Sequence, residues 1–471
     1  MRIAIVTEGS YPFVRGGVAS WVHMLVTSLS HIEFDIISIM PSNFQEQGYT
    51  YSLSANVRRV WLYRLGESVK EGGETRLLAS EVETVSNWLS FDTAVPQALQ
   101  ILSDTNRVGN GQSFLQSTYF WDIVQQAYLA EEQSSSFIDY FWIYRAMCES
   151  LISLLQQEFP KVDLIHAVST GYAGLIAAHI KETQGIPFIL TEHGIYTRER
   201  QEEILRASWI PNVYKDRWIR YFSHLSAQAY ESANQIITLF RRNSEHQKEL
   251  GAPVKKLRII PNGIDCERLS TIKKKYTGKK LCIGAIVRVV PIKDIKAMIY
   301  AARILLDEEI DFALSIMGPM DEDREYAREC VELATRLEVL SHVTFLGQVQ
   351  VVDHLPYLDV LLLTSISEGQ PLAILEGLAA GIPFIATDVG SCAELLLEDD
   401  GFGPAGFIVP PVNPKAVAEK CIWVYHNREE ARKLGANGKR RMQAKYEWSD
   451  VARQYITIYE TEVQRNGGNW V

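Results

Sequence analysis

Thirteen short apolar runs punctuate the chain, and at both ends of it they alternate with longer stretches of helical periodicity. The first set lies at 2–6, 34–39, 57–62, 162–168, 187–191, 235–239 and 257–260. The second lies at 281–287, 312–317, 343–346, 360–363, 383–386 and 406–409. Strands alternating with helices predict parallel sheets with crossover helices. Two sets predict an α/β protein of two doubly wound, Rossmann-like domains facing each other across a cleft, with ligands beyond the carboxyl ends of the strands. The rhythm of the first set breaks over 66–157, which reads as a helical insertion rich in aromatics, among them Phe114, Phe120, Trp121, Tyr140, Trp142 and Tyr144. Those aromatics form either the insertion's own core or an exposed acceptor or partner surface. The polar, basic stretch Leu269-Ser-Thr-Ile-Lys-Lys-Lys-Tyr-Thr-Gly-Lys-Lys280 reads as a linker. The expected division is therefore 1–268, linker 269–279, second domain 280–447 and a last helix within 448–471.

Composition narrows the class. A chain of 471 residues, 47% hydrophobic and 22% charged, is globular and too long for one ordinary core. Its net charge of -10 argues against nonspecific nucleic-acid binding and is silent on small anionic ligands. Six cysteines, at 148, 266, 282, 330, 392 and 421, contain no C-x-x-C pair, so buried thiols in a reducing compartment are expected. The N-terminus does not read as a signal peptide and no run approaches a membrane span, so the expected location is cytoplasmic.

The segment Glu368-Gly-Gln-Pro-Leu-Ala-Ile-Leu-Glu376 follows the apolar run 360–363 and carries the most chemistry. Pro371 suits the first position of a helix. The N–H groups of Leu372, Ala373 and Ile374 should then lack helical partners and suit a phosphate at the positive dipole end. Glu368 would lie in the loop and Glu376 one turn into the helix, one acid meeting a sugar and the other a ribose. A solvated helix start is the alternative. Arg288-Val-Val-Pro-Ile-Lys293-Asp294 ends another strand, and Lys293 is expected to begin a helix, which suits an anion there. An Arg–Lys pair matches a pyrophosphate. Gly9-Ser-Tyr-Pro-Phe-Val-Arg-Gly16-Gly17 precedes a helix, and Gly16 and Gly17 would let backbone N–H groups approach a phosphate, unless they are a plain turn. His193, in Thr191-Glu-His-Gly194, is a donor to a sugar or phosphate, a base, or a capping histidine. It has no second His or Cys at metal-ligand spacing. Pro261-Asn-Gly-Ile-Asp265 reads as a turn ending the first domain. Gly318 lies in a strand-end loop, and the segment at Gln348 would read a base edge through its backbone.

Taken together, Gly16-Gly17, His193, Pro261-Asn-Gly263, Arg288 with Lys293, Gly318-Pro319 and Glu368…Glu376 resemble, in order, the family 4 glycosyltransferases of GT-B fold. Three strings, 7–18, 191–200 and 288–296, resemble more narrowly the cytosolic glycosyltransferases of Pel exopolysaccharide synthesis. The resemblance implies retaining transfer from a UDP-sugar, glucose or a relative, to a polysaccharide acceptor, with no cofactor and no metal ion required. It implies that Arg288 and Lys293 hold the pyrophosphate with help from the Gly16 and Gly17 backbone. Glu376 would bind the ribose and Glu368 the sugar's outer hydroxyls. Backbone groups of Gly369, Gln370, Leu372 and Ala373 would contact sugar and phosphate beside Pro371, and His193 would stand near the reacting face. It also implies a partner in the membrane and recruitment to its inner face, with the aromatic insertion as the docking surface. Rival readings are a UDP-sugar 2-epimerase and a non-catalytic, UDP-sensing subunit of a membrane polysaccharide synthase. No lysine site for pyridoxal phosphate, and hence for phosphorylase chemistry, is found.

Overall fold

A computed structural model describes residues 1–67, 73–131, 136–275 and 278–467. Parts of the expected insertion and linker, 68–72, 132–135 and 276–277, and the end of the expected last helix, 468–471, lie outside the described residues. The chain divides into two compact units, Met1–Thr238 with Asn243–Ile259 and Gln454–Val471, and Leu239–Arg242 with Ile260–Arg453.

Seven parallel strands build the first unit's sheet: β1 (Arg2–Glu8), β2 (Glu33–Met40), β3 (Val57–Arg64), β4 (Leu164–Ala167), β5 (Phe188–Glu192), β6 (Gln235–Thr238) and β7 (Leu257–Ile259). Their order is β3-β2-β1-β4-β5-β6-β7. The second sheet has β8 (Leu281–Ile286), β9 (Phe312–Met317), β10 (Val343–Gly347), β11 (Val360–Leu363), β12 (Phe384–Thr387) and β13 (Gly406–Val409), in the order β10-β9-β8-β11-β12-β13. All pairings in it are parallel. Each of the thirteen expected runs is a strand. The central ones, such as β11, are buried along their whole length, as helices on both faces require. Strand order reverses between β1 and β4 and between β8 and β11, and loops leaving the strands on either side of such a reversal diverge to leave a crevice.

Between β3 and β4 the expected helical insertion is present, with its longest helix at Phe137–Leu155. Phe114, Phe120, Tyr140 and Tyr144 are buried with Trp88, while Trp121 and Trp142 are exposed. The aromatic set thus divides between a core and a surface. The last helix, Trp448–Arg465, contributes its residues from Gln454 onward to the first unit. There Tyr459 Oη lies 2.7 Å from His166 Nδ1 and Tyr455 Oη 3.3 Å from Thr191 Oγ1.

Two readings need correction. The segment Pro261–Asp265 does not end the first unit but opens the second. Ile264 N–H donates to Tyr446 O at 2.9 Å, and Trp448 N–H to Ile264 O at 2.9 Å. The stretch expected as a linker is docked as well. Leu269 joins the second unit's core, Lys275 N–H donates to Pro356 O at 2.8 Å, and Lys439 Nζ donates to Ser270 O at 2.7 Å. Polar composition suggested a free tether, but backbone groups, which composition does not register, hold it in place.

Arg441 is fully buried in the second unit. It grips Asp400 with Nε and Nη2 at 2.8 and 2.9 Å and donates to the carbonyls of Leu395, Glu398 and Gly403. The guanidinium holds the Asp400 carboxyl below the usual carboxylate range. Arg441→Met should therefore cost the second unit about 3 kcal/mol, since Asp400 stays buried with Lys445 and the Phe402 N–H in place of the guanidinium. Urea unfolding at pH 7 measures this. The difference from wild type should shrink as pH falls below about 4, where the unfolded-state carboxyl protonates.

Candidate functional site

The reversal between β8 and β11 places two loops side by side. One leaves β8 as Val287–Asp294, the other leaves β11 as Thr364–Pro371. They are stitched together. Thr364 Oγ1 donates to Lys293 O at 3.0 Å and to Asp294 O at 2.9 Å, and Ile366 N–H donates to Ile292 O at 2.8 Å. Lys293 Nζ then reaches across to Glu368 Oε1 at 2.6 Å, and Ser365 Oγ donates to the same oxygen at 2.6 Å. The ion pair is largely shielded, with side-chain exposures of 16% and 9%.

Lys293 does not begin the helix. It closes a 3-10 turn, Pro291–Lys293, and the α-helix starts at Ile295. Asp294 between them is the N-cap, with φ 45° and its carboxylate accepting from Ala297 N–H at 3.2 Å. Aspartate is among the few residues that take the left-handed region readily and cap well. Periodicity alone missed this turn because it looks like a helix start. Arg288, just past the end of β8, is exposed and paired with Glu322. Gly318 abuts it from the end of β9. A Cβ there would lie 2.0 Å from Val287 O and 3.2 Å from Arg288 N, so only glycine lets the two strand ends approach.

Pro371 is the N-cap of the helix Leu372–Ala379, one position earlier than expected. It has no side chain to cap with. Ile374 N–H, expected to be free, donates to Pro371 O at 3.1 Å. The N–H groups of Gly369, Gln370, Leu372 and Ala373 find no acceptor among the described residues. Glu376, one turn on, is half-buried, and its carboxylate has no hydrogen-bond partner among the described residues. Burial raises its pKa, with Arg268 opposing that shift. Gln348 is exposed just past β10, next to Gly347 at φ 65°.

Gln370, expected to act through its backbone, also positions through its side chain, and Thr387, Gly390 and Ser391 escaped the motif reading. Gln370 is buried, and its side chain accepts from Asn262 N–H at 2.6 Å and donates to Leu239 O at 3.3 Å. Thr387 Oγ1, at the end of β12, donates to Ser365 O at 2.6 Å. Next to it, Gly390 has φ 53°, and Ser391 N–H donates to Gly369 O at 3.0 Å. A Cβ on Gly390 would stand 2.2 Å from Gly369 O and 2.4 Å from Glu368 O. The rule that flagged the ends of β8 and β11 also covers β12, so Asp388-Val-Gly-Ser391 was within its reach.

In the first unit, Gly16 and Gly17 open the helix Gly17–Ser28, both exposed, with no side-chain cap. A Cβ on either would meet nothing within 4 Å, so protein packing does not require glycine there. His193, after β5, packs edge-on to Trp21 with ring centroids 4.7 Å apart. Its Nε2 has no hydrogen-bond partner, so the ring caps nothing through that atom. Burial lowers its pKa to about 4, which keeps the ring neutral at pH 7. Tyr196 and Arg200 are committed to Glu8, at 2.9 and 3.2 Å, and so brace the end of β1.

Residues 1–255, more than half the chain, match the family described as a domain of unknown function, DUF3492, and residues 269–441 match "Glycosyl transferases group 1". The chain belongs to the DUF3492 family, and its second part is a group 1 glycosyltransferase domain. The matched span of the second model contains Arg288, Lys293, Glu368 and Glu376. This glycosyltransferase is 22% identical to an MMP alpha-(1->4)-mannosyltransferase of Mycolicibacterium hassiacum over 60% of its own length and 67% of the relative's. It is 28% identical to the UDP-Gal:alpha-D-GlcNAc-diphosphoundecaprenol alpha-1,3-galactosyltransferase of Escherichia coli over 54% and 64% of the two chains. Among solved structures, Anabaena Alr3699/HepE in complex with UDP aligns over 98% of this chain and 100% of that one, with TM-score 0.63 and 14% identity. That likeness concerns the fold and agrees with two Rossmann-like domains.

Two outcomes follow from the site's geometry. Gly390→Ala should destabilise the second unit by more than about 1 kcal/mol in urea, because the left-handed backbone and the close carbonyls both oppose a Cβ. The His193 ring resonances should stay at their neutral-form positions between pH 8 and 6 and move only as pH approaches 4, followed by NMR against a His193→Asn control.

Proposed function

We propose that this glycosyltransferase transfers a hexosyl group, with retention, from a UDP-sugar, glucose or a close relative, to a growing exopolysaccharide of the Pel type, as PelF does. The observation that carries the donor reading is the Lys293–Glu368 contact beside the N–H groups of Gly369, Gln370, Leu372 and Ala373, unpaired among the described residues, at the β8/β11 reversal. An ammonium has three donors and Glu368 takes one, so Lys293 keeps donors for a phosphate oxygen. Arg288 is tied only to exposed Glu322, a surface pair of small net value that a phosphate can displace. Breaking the anomeric bond builds negative charge on the departing diphosphate. Arg288, Lys293 and the helix N-terminus would stabilise that charge without a metal ion.

Glu376 would accept both ribose hydroxyls. A half-buried carboxylate with no partner is poorly solvated, and two donated hydrogen bonds would return its pKa toward the ordinary range. Glu368, already aligned by Lys293 and Ser365, would take the outer hydroxyls of the sugar. The likeness to the Pel enzymes rests on the three sequence strings. It supports a cytoplasmic enzyme recruited by a membrane partner, and no helix among the described residues is long and apolar enough to cross a membrane itself.

Calorimetric titration with UDP, UDP-glucose, UDP-N-acetylglucosamine, UDP-N-acetylgalactosamine and GDP-mannose tests the donor. Uridine compounds should bind, and Glu376→Ala should weaken them at least tenfold, about 1.4 kcal/mol. Absence of binding by every uridine nucleotide would overturn the assignment. With the preferred donor and an oligosaccharide acceptor, Lys293→Ala should lower kcat by about 100-fold, the scale of one lost charge-stabilising donor. Product formed from UDP-sugar alone, epimerised and untransferred, would instead mark an epimerase.

A further inference from the structure

The second unit has another concave feature, at the opposite edge of its sheet. A cavity of about 250 Å³ opens where β11 and β12 begin. Asp359 immediately precedes β11 on its wall, while Thr364 and Glu368 follow the same strand toward the site already described. The helix Leu372–Ala379 likewise starts at the Glu368 loop and ends at Ala380 and Gly381 on the cavity wall.

The charge of this cavity runs against that of the chain. The whole protein carries -10, yet Lys274, Lys275, Arg428, Arg432 and Lys439 line the cavity with Asp359 as the one carboxylate. Asp359 is already committed, to Arg428 Nη1 at 2.5 Å and to Cys282 N–H at 2.9 Å. Among the described residues the three lysines meet only neutral acceptors in their hydrogen bonds. Lys274 Nζ donates to Leu358 O, Lys275 Nζ to Tyr357 Oη at 3.3 Å, and Lys439 Nζ to Ser270 O at 2.7 Å. Carbonyl and phenol oxygens orient an ammonium without cancelling its charge, and each ammonium keeps donors in reserve. Burial pulls the Lys274 pKa down to about 8 against the opposing charge of Asp359. Leu358, Pro383 and Val424 give the cavity an apolar side as well.

We infer that this cavity is a second ligand site, separate from the donor site, that takes a small phosphorylated anion. The phosphate lies among Lys274, Lys275 and Lys439, and a few-carbon body rests on Leu358, Pro383 and Val424. The volume sits just below the usual range of small-molecule pockets, roughly 300–1,000 Å³, so a nucleotide-sugar is too large.

Glycerol 3-phosphate and inorganic phosphate, titrated separately into the full-length protein by calorimetry, test this. Glycerol 3-phosphate should bind wild type and Lys293→Ala alike, and the Lys275→Gln/Lys439→Gln variant at least tenfold more weakly. Lys275→Gln alone, at an exposed position, should fold normally and weaken binding about threefold. Lys275→Arg/Lys439→Arg should retain binding within about threefold, since it keeps the charge. Inorganic phosphate should bind more weakly than glycerol 3-phosphate if the apolar wall takes part. Equal affinity of the two overturns the role of that wall. No binding to wild type, binding unchanged by both Gln variants, or binding lost in Lys293→Ala overturns the second site.

Discussion

Thr364 is the small residue on which the second unit's chemistry depends. Its hydroxyl ties the loop after β11 to two carbonyls of the loop after β8, and Ile366 N–H adds a third bond between them. A reversal of strand order makes neighbouring loops diverge, and a crevice so formed needs something to fix its width. Here backbone carbonyls fix it, so the Lys293 side chain is left to face Glu368. The same logic continues sideways. Thr387 secures Ser365 O, and Ser391 secures Gly369 O. Thr364, Ser365, Thr387 and Ser391 are all essentially buried, which for hydroxyl residues is an informative departure from their usual exposure. Thr364, Thr387 and Ser391 spend their hydrogen bonds on backbone and Ser365 donates to Glu368, and that rigidity is what a preorganised charge-stabilising site needs.

The fold was legible to an unusual degree because parallel strands covered on both faces are apolar from end to end, so the signal is composition as much as period. All thirteen runs became strands, and the interruption over 66–157 was legible as a break in their rhythm. What the sequence concealed was local and polar. The turn at Pro291–Lys293, the N-cap role of Pro371 and the docking of 269–275 are decided by individual backbone hydrogen bonds. Such bonds leave no apolar pattern. The candidate residues at strand ends were legible for a topological reason, whereas their partners were not. Glu322, Asn262 and Gly390 are distant in sequence from what they hold, and only the sheet brings them near.

The first unit shows the opposite electrostatic habit. Its strand ends carry Glu8, half-buried, and Glu192, buried, and both carboxyls lie above the usual range because burial outweighs the hydrogen bonds they accept and, at Glu8, the charge of Arg200. Glu192 is served by Tyr230 Oη at 2.6 Å, Gln247 Nε2 at 2.8 Å and Tyr196 N–H at 3.1 Å, none of them cationic. His166 and His193 are neutral for the same reason. The neutral donors and acceptors around Glu192 suit the recognition of hydroxyl groups, whereas Lys293 and Arg288 suit phosphate. Glu192 lies in the span matched by DUF3492, and Lys293 and Arg288 in the span matched by group 1.

That division explains why Lys293 and Arg288 each stand against a carboxylate. An unpaired Lys293, shielded as it is, would be costly in the folded protein, and Glu368 offsets that cost. The pair also sets a constraint on ligands. Anything that draws Lys293 away must leave Glu368 with new donors, or a buried carboxylate is stranded. A phosphate that took over Lys293 entirely would leave Glu368 with Ser365 as its remaining donor among the described residues. A phosphate joined to a polyhydroxylated ring satisfies both, since ring hydroxyls can donate to the oxygens that Lys293 releases. In the proposed donor site the shielded ion pair would therefore favour a sugar diphosphate over a bare phosphate, through the cost of leaving one partner behind rather than through any added attraction.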